Sequence, residues 1–406
     1  MSADFSKVRF NALVDYAGVE LKQGAVLLDA DANELNAILD RRLRALAGDV
    51  LGRSTVGANT PDAFRITLDA TSSGAATLLI GPGRLYVDGL LAENHGKADP
   101  AQRVFDALMA EPAFSQPVPY DAQPYLPNPP PLPNAGRHLV YLDVWNREVT
   151  HLEQPDLVEA AVGVETSSRL QTVWQVRVLD KAVGTDITCA TPDADILDWS
   201  GLIAPSTGVL STGTFEVAAV DDPCELPPTG GFRGLENQLY RVEIHDPGQP
   251  GGGATFKWSR ENASVGSRIV SVISSTELEL ETLGRDDVLR FNTGDWVEIT
   301  DDLREFAQLP GEMGRIIAVE EATRRITLET GLTGTTPGAP NLRVRRWDQK
   351  AKIFRTDSGG TAVEFQDLDA DHTGVIKVPP ETTTLLLDGI LHEPARPSFR
   401  HWGINE

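Results

Sequence analysis

Histidines, paired acids and cysteines are the side chains most able to do chemistry, and here their spacing forms no portable catalytic pattern. His95, His138, His151, His245, His372, His392 and His401 are scattered, with none in the H-E-x-x-H or H-x-H spacing that turns two imidazoles onto one metal. There is no G-x-S-x-G elbow, no G-x-x-x-x-G-K-[ST] loop, and no G-x-G-x-x-G between a strand and a helix. With 59 acids in the chain, adjacent pairs such as Asp301-Asp302 and Glu320-Glu321 arise without selection for a site. Glycosidase carboxylates carry no fixed motif, so a polysaccharide-degrading enzyme stays as the remotest reading. The expectation is of no enzyme, no catalytic residue and no cofactor.

Two stretches imitate calcium loops. Asp29-x-Asp31-x-Asn33 puts Glu34 where an EF-hand loop needs glycine, and its spacing suits a helix start better. Asp369, Asp371 and Thr373 have Gly374 correctly placed, but Pro380 occupies the twelfth position. They are weak metal candidates, and no metal is expected. Cys189 and Cys224 have no flanking histidines to complete a zinc site, and either pair with each other or stand as two buried thiols. Trp145, Trp174, Trp258, Trp296 and Trp347 fall in strand-like runs, where core packing is the first reading and sugar stacking the second.

The elements that would carry these residues are mostly strands. At 406 residues the chain exceeds one ordinary core, and 41% hydrophobic residues suffice for several. The net charge of −23 repels phosphates and anionic membranes, so neither nucleic acid nor membrane insertion is expected. No apolar run is long enough to span a bilayer and no secretory signal is visible, which implies synthesis in the bacterial cytoplasm.

Residues 1–53 read as an extended arm followed by one helix. Leu35, Ile38, Leu39, Leu43, Leu46 and Val50 have helical spacing, with Asp31 and Glu34 resembling a capping box and Gly48 and Gly52 marking the end. From about 65 the period becomes two. Residues 54–180 form a first β domain, in which residues 76–80 and 84–91 pair across Gly81-Pro82-Gly83 and the proline-rich 117–133, unable to enter a sheet interior, makes an extended surface loop or linker. A short helix is expected within 96–112. Residues 181–284 make a second β module with long loops, 285–350 a small barrel-like module, and 351–406 a tail with weaker strand signals. The fold class expected is therefore mainly β, multi-domain, with antiparallel sandwiches and a small barrel behind an arm and one docking helix.

The stretch from Tyr16-Ala17-Gly18-Val19 through Gln23-Gly24 to Leu28-Asp29-Ala30-Asp31-Ala32-Asn33-Glu34 resembles the "Y-x-G-V-x-x-Q-Q-G-R-V-x-L-D-A-D-x-N-E" opening of an uncharacterised protein family associated with phage tails and contractile injection particles. Gly81-Pro82-Gly83-Arg84-Leu85-Tyr86-Val87-Asp88-Gly89 resembles a later strand-turn signature of those proteins. Arg233 to Ile244 with Phe256-Lys257-Trp258-Ser259-Arg260-Glu261-Asn262 resembles their central block. Lys22 and Ala25 depart from the pattern. The resemblance implies a structural subunit of a baseplate, or of a fibre or spike attached to it, with other particle subunits as partners. A homo-oligomer that is part of an assembled and sometimes released particle is implied as well. Tyr16, Val26, Leu28, Leu35, Ile38, Leu39, Leu43 and Leu46 are the expected assembly interface. The competing reading is a lectin-like adhesin for surface glycans.

Overall fold

A computed structural model describes residues 6, 9–69, 77–96, 116–133, 135–184, 186–188, 190–196, 198–205, 208–214, 239–335, 337–349, 352–356, 361–380, 385–386 and 397–400, with backbone alone at 211–214, 386 and 397–400. Both cysteines, the helix expected within 96–112 and most of the last residues lie outside these. The architecture is mainly antiparallel β with few helices. It divides into one unit of residues 5–151 and 156–200 and another of 152–155 and 201–406.

The first unit opens with α1, Asp29–Leu51. The expected cap at Asp31 is not the one used. The helix begins two residues earlier behind Leu28, which makes no side-chain cap, and Asp29 and Asp31 occupy the first turn. There their charge meets the positive end of the helix dipole. Gly52, at φ 79°, ends the helix as expected, whereas Gly48 lies within it and accepts from the Gly52 N–H.

Next come β1 (Ser54–Val56), β2 (Ile66–Asp69), β3 (Thr77–Ile80), β4 (Gly83–Val87), β5 (Leu90–Asn94) and β6 (Val118–Pro119). The sheets run β1-β4-β5 and β2-β3-β6. Gly81-Pro82-Gly83 therefore passes the chain from one sheet to the other and is not the tip of a hairpin. The hairpin turn is Asp88-Gly89, both at positive φ (45° and 80°), which joins β4 to β5 with the twist that two-residue turns favour. The proline-rich segment keeps out of the sheet interior as expected, but its start is a strand at the sheet edge and not loop. Val118 and Pro119 pair with the β3 edge, and Gln123 is buried, exchanging hydrogen bonds with the Val176 backbone. Proline is tolerated there because an edge strand needs only part of its ladder.

The long strands β7 (Val140–Val149) and β10 (Arg169–Val178) pair along their whole length, with the short β8 (Val158–Glu159) and β9 (Val164–Glu165) between them in sequence. Trp174, Val176, Ile80, Ala92, Ala63 and Phe64 form this unit's core. The Trp174 indole donates to the Glu93 carbonyl at 2.8 Å and meets Phe64 and Tyr125 edge-on. A single-turn α2 (Trp199–Leu202) follows.

The second unit contains β11 (Ser211–Thr214), β12 (Arg241–Ile244), β13 (Thr255–Ser259), β14 (Gly266–Val272), β15 (Glu277–Leu280), β16 (Trp296–Thr300), α3 (Asp302–Phe306), β17 (Glu312–Glu320), β18 (Arg325–Leu328) and β19 (Arg343–Trp347). After them come β20 (Lys352–Thr356), β21 (Ala362–Asp367), α4 (Leu368–Asp371), β22 (Ile376–Lys377), β23 (Leu385–Leu386) and β24 (Pro397–Arg400). Strands β14-β15-β18-β17-β16-β19 close into a barrel. The barrel thus starts at Gly266, and the boundary expected near 285 falls inside it. Leu278, Leu280, Val297, Ile299, Ile316, Ile326 and Val344 fill its interior without exposure. A second core of Phe256, Trp258, Trp296, Ile353, Leu368 and Ile376 joins the β12–β13 hairpin, extended by β22, to the strands after the barrel. The sequence after 350 is more than a tail with weak strand signals, since β20, β21, β23 and β24 make a five-stranded sheet with β11, and β22 joins β13.

Candidate assembly surface

The arm is held at its beginning and bare at its end. Asn11 caps the short 3-10 turn Ala12–Val14 by accepting from the Leu13 N–H, and Arg9 reaches Asp31 of α1 at 2.6 Å. Between Tyr16 and Leu27 the described backbone makes one turn bond, Ala25 N–H to Lys22, beside Gly24 at φ 74°. Leu13, Tyr16, Leu21, Val26, Leu27 and Leu28 are all exposed, Leu13 and Val26 by more than 80%.

Helix α1 divides lengthwise. Ala30 and Ile38 are buried, Ala47 is half-covered, and so is Arg44, which lies beside the Asp88-Gly89 turn. A Cβ at Gly89 would lie 2.7 Å from the Arg44 Cα, so the absence of a side chain there permits the approach. The opposite face carries Leu39, Leu43, Leu46 and Val50, with Leu43, Leu46 and Val50 each more than 60% exposed. Of the interface residues expected from the sequence, Tyr16, Val26, Leu28, Leu39, Leu43 and Leu46 face outwards. Leu35 is half-buried, and Ile38, at 1% exposure, belongs to the chain's own packing. Ile38 was misassigned because a 3.6-residue period marks an apolar position without saying which face covers it. Val50, Leu13, Leu21 and Leu27 extend the exposed set.

The second unit holds charge where the sequence gave no hint of it. Lys257, almost fully buried in β13, donates to Glu298 of β16 at 2.5 Å and lies 3.6 Å from Glu243 and 4.8 Å from the Trp347 ring centre. Glu298 also accepts from the Trp347 indole at 3.1 Å and the Gly311 N–H at 2.9 Å. Burial opposes its ionisation, but the Lys257 charge and hydrogen bond, with His245 and Gly311, outweigh it and hold the carboxyl down to about 2. His245 has its Nδ1 3.9 Å from Glu298, and burial, reinforced by Lys257, lowers its pKa. Arg343, buried in β19, is surrounded by Asp302, Glu305 and Glu153. In each cluster the buried cation is met by carboxylates at close range, as a buried ion requires. Glu298 and Asp302 are thereby engaged by cations and N–H donors.

The other acids behave alike. Asp301 caps α3, Asp302 binds Arg343 and Asn341, and Glu321 binds Arg290. Asp369 pairs with Arg315 at 2.7 Å, Asp371 lies 3.7 Å from Lys377, and the Thr373 hydroxyl turns to the Val375 carbonyl. The three weak metal candidates are thus directed to other partners, and no group of three or more metal-ligating side chains is assembled among the described residues. Trp174, Trp258, Trp296 and Trp347 are buried and Trp145 is half-buried. No helix among the described residues is long and apolar enough to cross a membrane.

The model of a family of unknown function (DUF6519) matches residues 1–197 and 206–382, and the chain belongs to that family. No curated protein and no solved structure matches it.

Proposed function

We propose that this chain is a non-catalytic structural subunit of a phage tail-like or contractile injection particle, seated at the baseplate or in a fibre or spike attached to it, and joined to its neighbours through the arm and α1. The observation that carries this reading is the pair of exposed apolar clusters at the N-terminal end, Leu13 to Leu28 on the arm and Leu39 to Val50 on α1, beside β modules whose cores are filled by their own side chains. Apolar side chains left in water along an arm and a helix forgo roughly 1.5–3 kcal/mol each, which only a partner recovers. The resemblance of the Tyr16 to Glu34 stretch to tail-particle proteins supports the same reading, and it falls on the exposed segment. The net charge of −23 disfavours nucleic acid as that partner. A glycan-binding adhesin has less support, because the tryptophans that would stack on sugars are mostly spent in cores.

The test is incorporation. In cells producing the particle, the full-length chain with Leu43→Glu and Leu46→Glu should fold, with unchanged circular dichroism and melting, yet be absent from purified particles. Incorporation at the wild-type level would sink the proposal.

A further inference from the structure

On α1, Leu39, Leu43, Leu46 and Val50 follow at intervals of four, three and four, the a/d seam of a two-heptad coiled coil. The seam lies on the face opposite buried Ala30 and Ile38 and is open to solvent. A seam with this spacing takes the side chains of another helix as knobs in its holes; a lipid surface calls instead for a broader apolar face with flanking basic residues.

The flanking charges choose among helices. Asp40 is taken by Arg44 of the same helix at 2.8 Å. Arg42 and Asp49 occupy the two successive g positions beside the seam, both are exposed, and neither has a partner among the described residues. In a parallel pair, a g residue faces the e residue five positions later, so Arg42 would meet Ala47 and gain nothing. In an antiparallel pair with Leu43 layered on Leu46 and Leu39 on Val50, g faces g, and Arg42 of each copy meets Asp49 of the other. The helix is therefore complementary to itself reversed, which is the symmetry of a two-fold interface. We infer that the C-terminal half of α1 pairs antiparallel with the same segment of a second copy of this chain.

This rests on the reading of α1 as an assembly element and names its partner. Two heptads bury less than the roughly 1,200 Å² of a stable interface, so the pairing is a concentration-dependent equilibrium outside the particle.

Sedimentation velocity of the full-length chain over a wide concentration range tests it. The wild type should move from one copy to two. Arg42→Asp and Asp49→Arg should each weaken the dimer about tenfold by setting like charges opposite, and the combination should restore it to within about threefold. Both substitutions are on exposed positions, and an unchanged melting temperature confirms folding of each variant. A monomer at every concentration overturns the inference, as does a double variant no better than the singles. The two proposals fail separately. A monomeric chain that still enters particles removes the self-pairing alone, whereas a chain that pairs but is never incorporated removes the particle role alone.

Discussion

Leu278 and Leu280 in the barrel have no exposure, whereas Leu43 and Leu46 in α1 are 66% and 61% exposed. Residue type is the same in both regions. What differs is closure. Six strands returning on themselves leave the barrel an interior that its own alternating residues fill. A single helix offers two faces, and α1 has only one of them covered. The barrel covers its own apolar side chains; α1, with its arm, leaves a row of them in solvent. The same division holds for charge. Lys257, Glu298 and Arg343 are paired within the second unit, while Arg42 and Asp49 on α1 stand without a partner among the described residues.

The sharpest way to break the completeness of the second unit is to orphan one of its ions. Lys257→Met leaves Glu298 buried with only the Trp347 and Gly311 donors. It should cost about 3–5 kcal/mol in chemical denaturation, and adding Glu298→Met should recover most of that loss. Leu278→Ala, which opens a void among the unexposed side chains of the barrel interior, should cost about 2–5 kcal/mol by the same measurement. If either change is neutral, the barrel interior is less closed than its geometry shows.

Acid reaches the same contrast without mutation. Glu298 is held at about 2 in the fold, against an ordinary 4.5, so its stabilising contribution is fully present above 4.5 and is lost as pH falls towards 2. Hydrogen bonds from Thr335, Gly334 and Thr333 outweigh desolvation and bring Glu312 to about 2 as well, with loss in the same window. His245 is kept neutral in the fold by burial, and the unfolded chain takes a proton below about 6.5, so stability begins to decline there. In the first unit, burial of Asp143 raises its pKa despite Arg177, and its protonation on acidification favours the fold. Melting followed from pH 7 to pH 3 should therefore show the second unit failing first, by at most about 3 kcal/mol from Glu298. Failure of the first unit before the second would contradict this.

The strands were legible because alternation needs only local sequence: β7, β10, β12 and β13 fall where period two puts them. Their partners were not legible, because pairing is non-local. Gly266 finds Arg345 across 79 positions, and nothing within β14 announces that it belongs to the barrel rather than to the module before it. The Asp88-Gly89 turn was readable in principle but was masked by the stronger Gly-Pro-Gly signal nearby. The Lys257 cluster left no trace, since a lysine between Phe256 and Trp258 reads as the solvent face of a strand until the barrel covers it. On α1 the outward residues were readable for the opposite reason. A face left open to solvent keeps a pattern no tertiary contact distorts, and the exception, Ile38, is where the chain's own packing covers the helix.

The smallest effect expected on stability is the most informative about the comparison. Leu43→Ala removes an exposed side chain and places a better helix former in its stead, so the melting midpoint should move by no more than about 0.5 kcal/mol in either direction. The chemically identical truncation at Leu278 is expected to cost several times more, and the ratio measures how far each leucine is used by its own chain. Self-association should respond in the reverse order: weakened clearly by Leu43→Ala and untouched by Leu278→Ala wherever that variant remains folded. A loss above about 2 kcal/mol from Leu43→Ala would place that side chain in the chain's own core. The distinction between a self-sufficient barrel and a helix built for company would then collapse.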